Sequence, residues 1–153
     1  MKSPFYFIAR PEKGTRYNNV VNWEGIEFTT NTSEEEHKFS NRIAEVIELP
    51  IGYTGPIKIG YTLLVHHNVF KFYNDMRGRS GKSFFKDDLF FVDDQQFFMY
   101  NDGEKWNSYD RYCFVSPIPS EECYLHKPTN EPLMGKMRYS NDYLISRGID
   151  EGT

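Results

Sequence analysis

Two adjacent histidines, His66 and His67, stand in the apolar stretch LLVHHNVFKFY at residues 63–73. Imidazoles bind metals, move protons or act as hydrogen-bonding architecture. If this stretch is a buried strand, neighbouring side chains point to opposite faces, and the two rings cannot converge on one ion. The chain has four histidines, and neither H-x-H nor H-E-x-x-H spacing occurs among them, so a site would have to borrow His37, His126 or carboxylates. The expected arrangement is one histidine against the core with its nitrogens hydrogen-bonded and the other outward or in a subunit contact. No metal or cofactor is expected.

The segment GRSGKS at 78–83 resembles a phosphate-binding loop, but that motif needs a glycine where Met76 stands and a helix after Ser83. The aromatic run FFKDDLFFV follows instead, so the nucleotide reading fails. What remains is a Gly-rich turn carrying Lys71, Arg77, Arg79, Lys82 and Lys86 among Phe72, Tyr73, Phe84 and Phe85. Such interleaving can hold single-stranded nucleic acid; a solvated hairpin tip is the commoner outcome, and the acidic whole argues against nucleic acid. Asp87-Asp88 and Asp93-Asp94 are neighbours along the chain, the pattern of turn residues and not of an acid–base pair. Cys113 lies in an apolar run and is expected to be a small buried hydrophobe, while Cys123 has no base beside it. Asn31-Thr32-Ser33 matches a glycosylation acceptor, read as a chance match in the absence of a secretory signal. No catalytic residues are assigned, and no enzyme is expected.

The elements that must position these residues follow from composition. Of 153 residues 17% are aromatic, and alanine occurs only at positions 9 and 44, a balance that favours strands over helices. The formal charge of −4 gives no general attraction for polyanions. Two cysteines are too few for a disulfide framework and suit a reducing compartment, and no segment reads as a signal or a spanning helix. The expectation is a protein of the cytoplasm, with no membrane partner.

Short apolar runs broken by Gly, Asn, Asp and Pro predict an antiparallel all-β fold, a small barrel or sandwich. Residues 4–9 (PFYFIA) form a first strand stopped by Arg10-Pro11, and RIAEVIEL (42–49) a strand of the usual length. The polar stretch between them, residues 14–38, reads as a long loop or as an irregular hairpin through NNVV and GIEF. Asn101-Asp102-Gly103 marks a tight turn. Beyond it YCFVSPIP (112–119) is placed like FYFIARP (5–11), GKMRYS like RIAEVIEL and GIDEGT like PIKIGYT. The expected division is therefore a β-barrel over 1–104 and, over 105–153, a partial second repeat or a C-terminal extension.

This order of elements resembles the GroES-type co-chaperonin family. FYFIARPEK stands for its first strand, GIEF for the apolar part of its mobile loop and GPIKIGYTLLV for its V-K-x-G-D-x-V element, with Tyr61 in place of the acid. HKFSNRIAEVIE, LLVHHNVFK, FFKDDLFFV and YCFVSPI look like segments of phage-encoded members. The resemblance implies a GroES-like β-barrel and a protein that caps or binds a large chaperonin, of host or phage, and assists folding as a homo-oligomer, in all expectation a ring. Gly25, Ile26, Glu27 and Phe28 would contact the partner from the mobile loop. Lys58, Gly60, His66 and His67 would serve structure or subunit contact. The alternative is a virion structural or decoration protein reusing the same barrel, located in the particle and not in the infected cell's cytoplasm.

Overall fold

The computed structural model describes residues 2–30, 36–119 and 130–153, of which 130–132 are described by backbone alone. The described chain is all-β apart from one four-residue helix and two 3-10 turns, and it divides into two compact units, Met1–Lys105 and Trp106–Thr153.

In the first unit, strands β1 (Phe7–Pro11), β4 (Ile43–Glu48), β5 (Thr62–Val65), β8 (Phe84–Lys86), β9 (Leu89–Val92) and β10 (Phe97–Asn101) form an antiparallel sheet ordered β10-β5-β4-β1-β9-β8. Two small hairpins stand apart from it, β2 (Val20–Trp23) with β3 (Ile26–Thr29), and β6 (Tyr73–Asp75) with β7 (Gly78–Ser80). The sheet's inner face follows the two-residue period of a strand. Ala9, Ala44 and Val46, Leu63 and Val65, Phe90 and Val92, and Phe97 and Met99 are buried from five successive strands.

The sheet is strongly rolled. Three strand spacings separate β1 from β10, about 14 Å on a flat sheet, yet the rings of Phe7 and Phe97 meet edge to face at 5.5 Å. The roll is helped by a tight turn that joins β9 to β10, four places apart in that order: Gln96 N–H donates to Asp93 O at 3.0 Å. No ladder joins β9 to β10 among the described residues, so the sheet is open and not a barrel closed by hydrogen bonds. Phe90 fills the centre, with Phe70 at 5.1 Å and Phe84 at 5.7 Å, both edge-on.

Several local expectations are corrected. The first strand does not stop at Arg10. It runs to Pro11, which faces Ala44 at the end of the ladder, where a missing N–H costs little. FFKDDLFFV is two strands, because Asp87, at φ 51°, turns the chain between β8 and β9. LLVHHNVFKFY is not a continuous strand: β5 ends at Val65, and Val69 N–H donates to His66 O at 3.1 Å to begin a turn that buries Val69 and Phe70.

The second unit contains β11 (Trp106–Ser108), a two-stranded antiparallel ladder of β12 (Phe114–Pro119) with β13 (Asn130–Tyr139), and a short helix α1 (Asp142–Ile145). Asn141 caps the helix: its Oδ1 accepts from Leu144 N–H at 2.9 Å while its Nδ2 donates to Arg111 O and Tyr112 O. Cys113, expected to be buried, precedes β12 and is exposed, with the parity of the strand's exposed positions Val115 and Pro117. Gly135 packs so closely on β12 that a Cβ there would lie 2.3 Å from Val115 Cγ1.

Candidate functional site

The long polar stretch after β1 becomes an arm with a fastened root. Asn41 is the fastener: its Nδ2 donates to Glu12 O at 3.1 Å and Thr15 O at 2.7 Å, its Oδ1 accepts from Ile43 N–H at 2.9 Å, and its own N–H donates to Arg16 O at 2.8 Å. It is buried, so these bonds replace water that it cannot reach. Further out, Asn18 N–H donates to Phe39 O and Thr30 N–H to Asn19 O, both at 2.7 Å.

Of the two readings of 14–38, a long loop or a hairpin through NNVV and GIEF, the hairpin is the one found over 20–29, and it is regular, pairing residue for residue. Glu24 and Gly25 both have positive φ, 52° and 86°, the signature of the two-residue turn whose twist suits a hairpin. Asn22 Oδ1 supports it by accepting from Gly25 N–H at 3.1 Å. Residues 31–35, including Asn31-Thr32-Ser33, lie outside the described residues, as do Cys123 and His126.

The hairpin's register decides which side chains work together. Val21 faces Phe28 and Trp23 faces Ile26. Cross-strand partners share a face, and so do residues two apart on one strand. Val21, Trp23, Ile26 and Phe28 therefore form one apolar face, while Asn22 and Glu27 lie on the other. Each of the four keeps 50–69% of its surface exposed. Of the residues assigned to the partner contact, Gly25 thus shapes the turn, Ile26 and Phe28 present the apolar face, and Glu27 points away from it. The chain also places Trp23 and Val21 there, which sequence reading missed; the alternation V-x-W-E-G-I-x-F around a Glu-Gly turn was the available signal.

The residues assigned to structure or subunit contact fall into two places. Lys58 and Gly60 sit in the turn before β5, where Tyr61 N–H donates to Lys58 O at 3.2 Å and Gly60 N–H to Val46 O at 2.8 Å. His66 and His67 follow β5, and their rings converge, with centroids 4.1 Å apart, contrary to the opposite-face expectation. The reason is the strand's end at Val65: the alternation ceases where the turn begins. His66 Nδ1 accepts from Asn68 N–H at 3.3 Å, and His37, at the return of the arm, lies 5.5 Å from His67. Partial burial holds His67 below the ordinary imidazole range, and His66, Lys71, His37 and Arg42 push the same way. Among the described residues, no group of three or more His, Cys, Asp or Glu is arranged to hold a metal ion.

An open cleft of about 960 Å³ runs beside β6 and β7, lined by Tyr6, Tyr17, Lys71, Phe72, Lys82 and Phe91 among others. The interleaved basic and aromatic residues do not all reach it. Phe84 packs into the core against Phe90, and the Phe85 ring lies tilted against Phe91 at 4.6 Å. Phe72 is already engaged by cations of the same chain, Arg16 at 3.7 Å and Arg79 at 4.9 Å from its centroid. A base would have to displace these to stack there. No helix of the described residues is long and apolar enough to cross a membrane. Comparison of the chain with protein-family models, with curated proteins and with solved structures finds no match in any of the three.

Proposed function

We propose that this chain is a non-enzymatic, phage co-chaperonin-like protein that binds a large chaperonin through the β2–β3 hairpin, and that its rolled, open sheet is a variant of the GroES-like fold. The observation that carries the reading is the apolar face of Val21, Trp23, Ile26 and Phe28, held away from the core on a hairpin with a fastened root. Large exposed apolar surface on a soluble protein marks a place where another surface docks. Two strands with a Trp anchor fit an apolar groove.

The magnitude explains why such a protein would act as an oligomer. Full burial of a large apolar side chain is worth about 1.5–3 kcal/mol, so the exposed part of this face offers roughly 3–7 kcal/mol per arm. Association costs at least about 4 kcal/mol in lost freedom. One arm binds weakly; several arms on one ring, the assembly that the resemblance implies, multiply modest affinities. Because the hairpin is already formed, each arm loses less entropy on docking than a disordered loop does.

The test is limited proteolysis of residues 14–38 with and without a large chaperonin and its nucleotide, alongside native mass measurement of the mixture. Protection of the arm and a stoichiometric complex are expected. Failure of both, with the protein recovered instead at high stoichiometry in purified virus particles, would assign it to the virion.

A further inference from the structure

The second unit repeats the backbone bonding of part of the first. In the β1–β4 ladder the register shifts between Ile8 and Ala9, after which Ala9 faces Val46, Arg10 faces Glu45 and Pro11 faces Ala44. In the β12–β13 ladder it shifts between Phe114 and Val115, after which Val115 faces Met137, Ser116 faces Lys136 and Pro117 faces Gly135. Val46 then donates its N–H to Tyr61 O at 2.9 Å and accepts from Gly60 N–H at 2.8 Å; Met137 donates to Thr153 O at 3.0 Å and accepts from Gly152 N–H at 2.9 Å. The turns match as well. Tyr61 N–H donates to Lys58 O and Thr153 N–H to Asp150 O, with Gly60 at φ 86° and Gly152 at φ 87°.

The correspondence shows what each edge of β13 is suited for. In the first unit, the side of β4 away from β1 carries β5: Ile43 faces Leu64, Ala44 faces Leu63, Glu45 faces Thr62, and Val65 N–H donates to Arg42 O at 2.7 Å. The matching stretch of β13 is Leu133–Lys136, and among the described residues β13 has no strand partner but β12. Backbone groups alternate between the two edges of a strand. Val46 and Arg42 bond on the β5 side, so Ala44 does too, and its counterpart Gly135 turns its N–H and C=O to the open edge.

Side chains tell the same story. Ala9 is fully buried, whereas its counterpart Val115 is 51% exposed; Leu133 is fully exposed and Met134 61% exposed. Val115 and Met134, which match Ala9 and Ile43, have the residue types of a covered surface without the cover, and an unpaired edge with apolar side chains readily accepts a strand. We propose that the outer edge of β13 at Leu133–Lys136 is a docking site for an extended segment of another polypeptide with the pattern of β5, Thr-Leu-Leu-Val, added antiparallel to β13. Main-chain bonds to the N–H and C=O of Gly135 would hold it, next to Leu133, whose φ of 60° ends the extended stretch. Specificity would come from its two leucines, one on each face of the ladder, the first beside Gly135 and Val115 and the second opposite Met134.

The test uses the full chain and a labelled synthetic peptide, Gly-Tyr-Thr-Leu-Leu-Val-His, the sequence of residues 60–66. Saturable binding by fluorescence anisotropy is expected, with slowed amide exchange at Gly135. A peptide of the same composition with its alternation scrambled should bind at least tenfold more weakly. So should the double variant Leu133→Lys, Met134→Glu, which puts opposed charges on exposed positions and leaves the melting temperature in place. No saturable binding, equal binding of the scrambled peptide, or exchange protection confined to the first unit would overturn the proposal. If the double variant melts early, the exchange map on the unaltered chain decides alone.

Discussion

Replacing Ile26 by Asp examines the hairpin face at its centre. Ile26 lies opposite Trp23 beside the turn, and 61% of its surface is free for a partner. At about 1.5–3 kcal/mol for a fully buried side chain, the lost apolar contact is worth roughly 1–2 kcal/mol per arm. An unpaired carboxylate pressed into an apolar groove adds about 1–3 kcal/mol or more. Together they amount to at least about 2–3 kcal/mol, roughly a 30- to 150-fold loss per arm, and more for an assembly in which several arms engage. Folding should hardly notice: exposed substitutions stay within about 0.5 kcal/mol, and the lost cross-strand pair is worth about 0.2–1 kcal/mol. The assay pairs protease protection of the arm by a large chaperonin with Trp23 fluorescence, read in a Trp106→Phe background because the chain has two tryptophans. Glu27→Gln, on the opposite face, serves as the control. If Ile26→Asp is protected as well as the unaltered chain, or if Glu27→Gln loses as much, the apolar face is not what the partner grips.

Other perturbations have equally definite outcomes. Asn41→Ala removes three side-chain hydrogen bonds at the root of the arm, at about 0.5–1.5 kcal/mol each; chemical denaturation should show a loss of roughly 2–4 kcal/mol, and cleavage should appear near residues 15–18. Phe90→Ala, at the centre of a cluster with Phe70 and Phe84, should cost about 3–5 kcal/mol in the same measurement. His67 is held below its unfolded value, so the unfolded chain takes up the proton first as pH falls. Stability from this group is therefore full above about pH 6.5 and declines as pH falls toward the lowered folded value. His67→Gln should flatten the melting temperature between pH 7 and 5, and an unchanged slope would refute the assignment. Chelators should leave the melting temperature unmoved; a chelator-dependent drop would mean that the histidines hold a metal.

Strand content was legible because it depends on composition and period. Phe, Tyr and Val recurring in short runs between Gly, Asn and Asp can bury one face of a sheet and little else, and β4, β9 and β10 alternate as that pattern requires. The Asn101-Asp102-Gly103 turn was legible for a local reason, with Asn101 Oδ1 accepting from Gly103 N–H at 2.7 Å. The histidine pair was misread because nothing local announces that β5 ends at Val65; the buried Val69 and Phe70 continue an apolar run through a turn that tertiary packing selects. The hairpin face was half visible. Ile26 and Phe28 stand out in a polar stretch, but their alliance with Val21 and Trp23 depends on a register that only the Glu24-Gly25 turn fixes. Closure of the roll was not legible at all, since sequence period sets which face a strand buries and says nothing of whether the first and last strands meet.

The root that Asn41 ties down makes the arm a strut and not a tether. From Tyr17 to Trp23 the chain advances about 3.3 Å per residue, which fixes a reach of roughly 20 Å in a set direction. A tether searches a volume and forgives misplacement; a strut samples a small arc. Several struts on one assembly would act as a gauge, engaging only receptors whose spacing equals their own, and a substitution at Asn41 would blur that discrimination before it weakened any single contact.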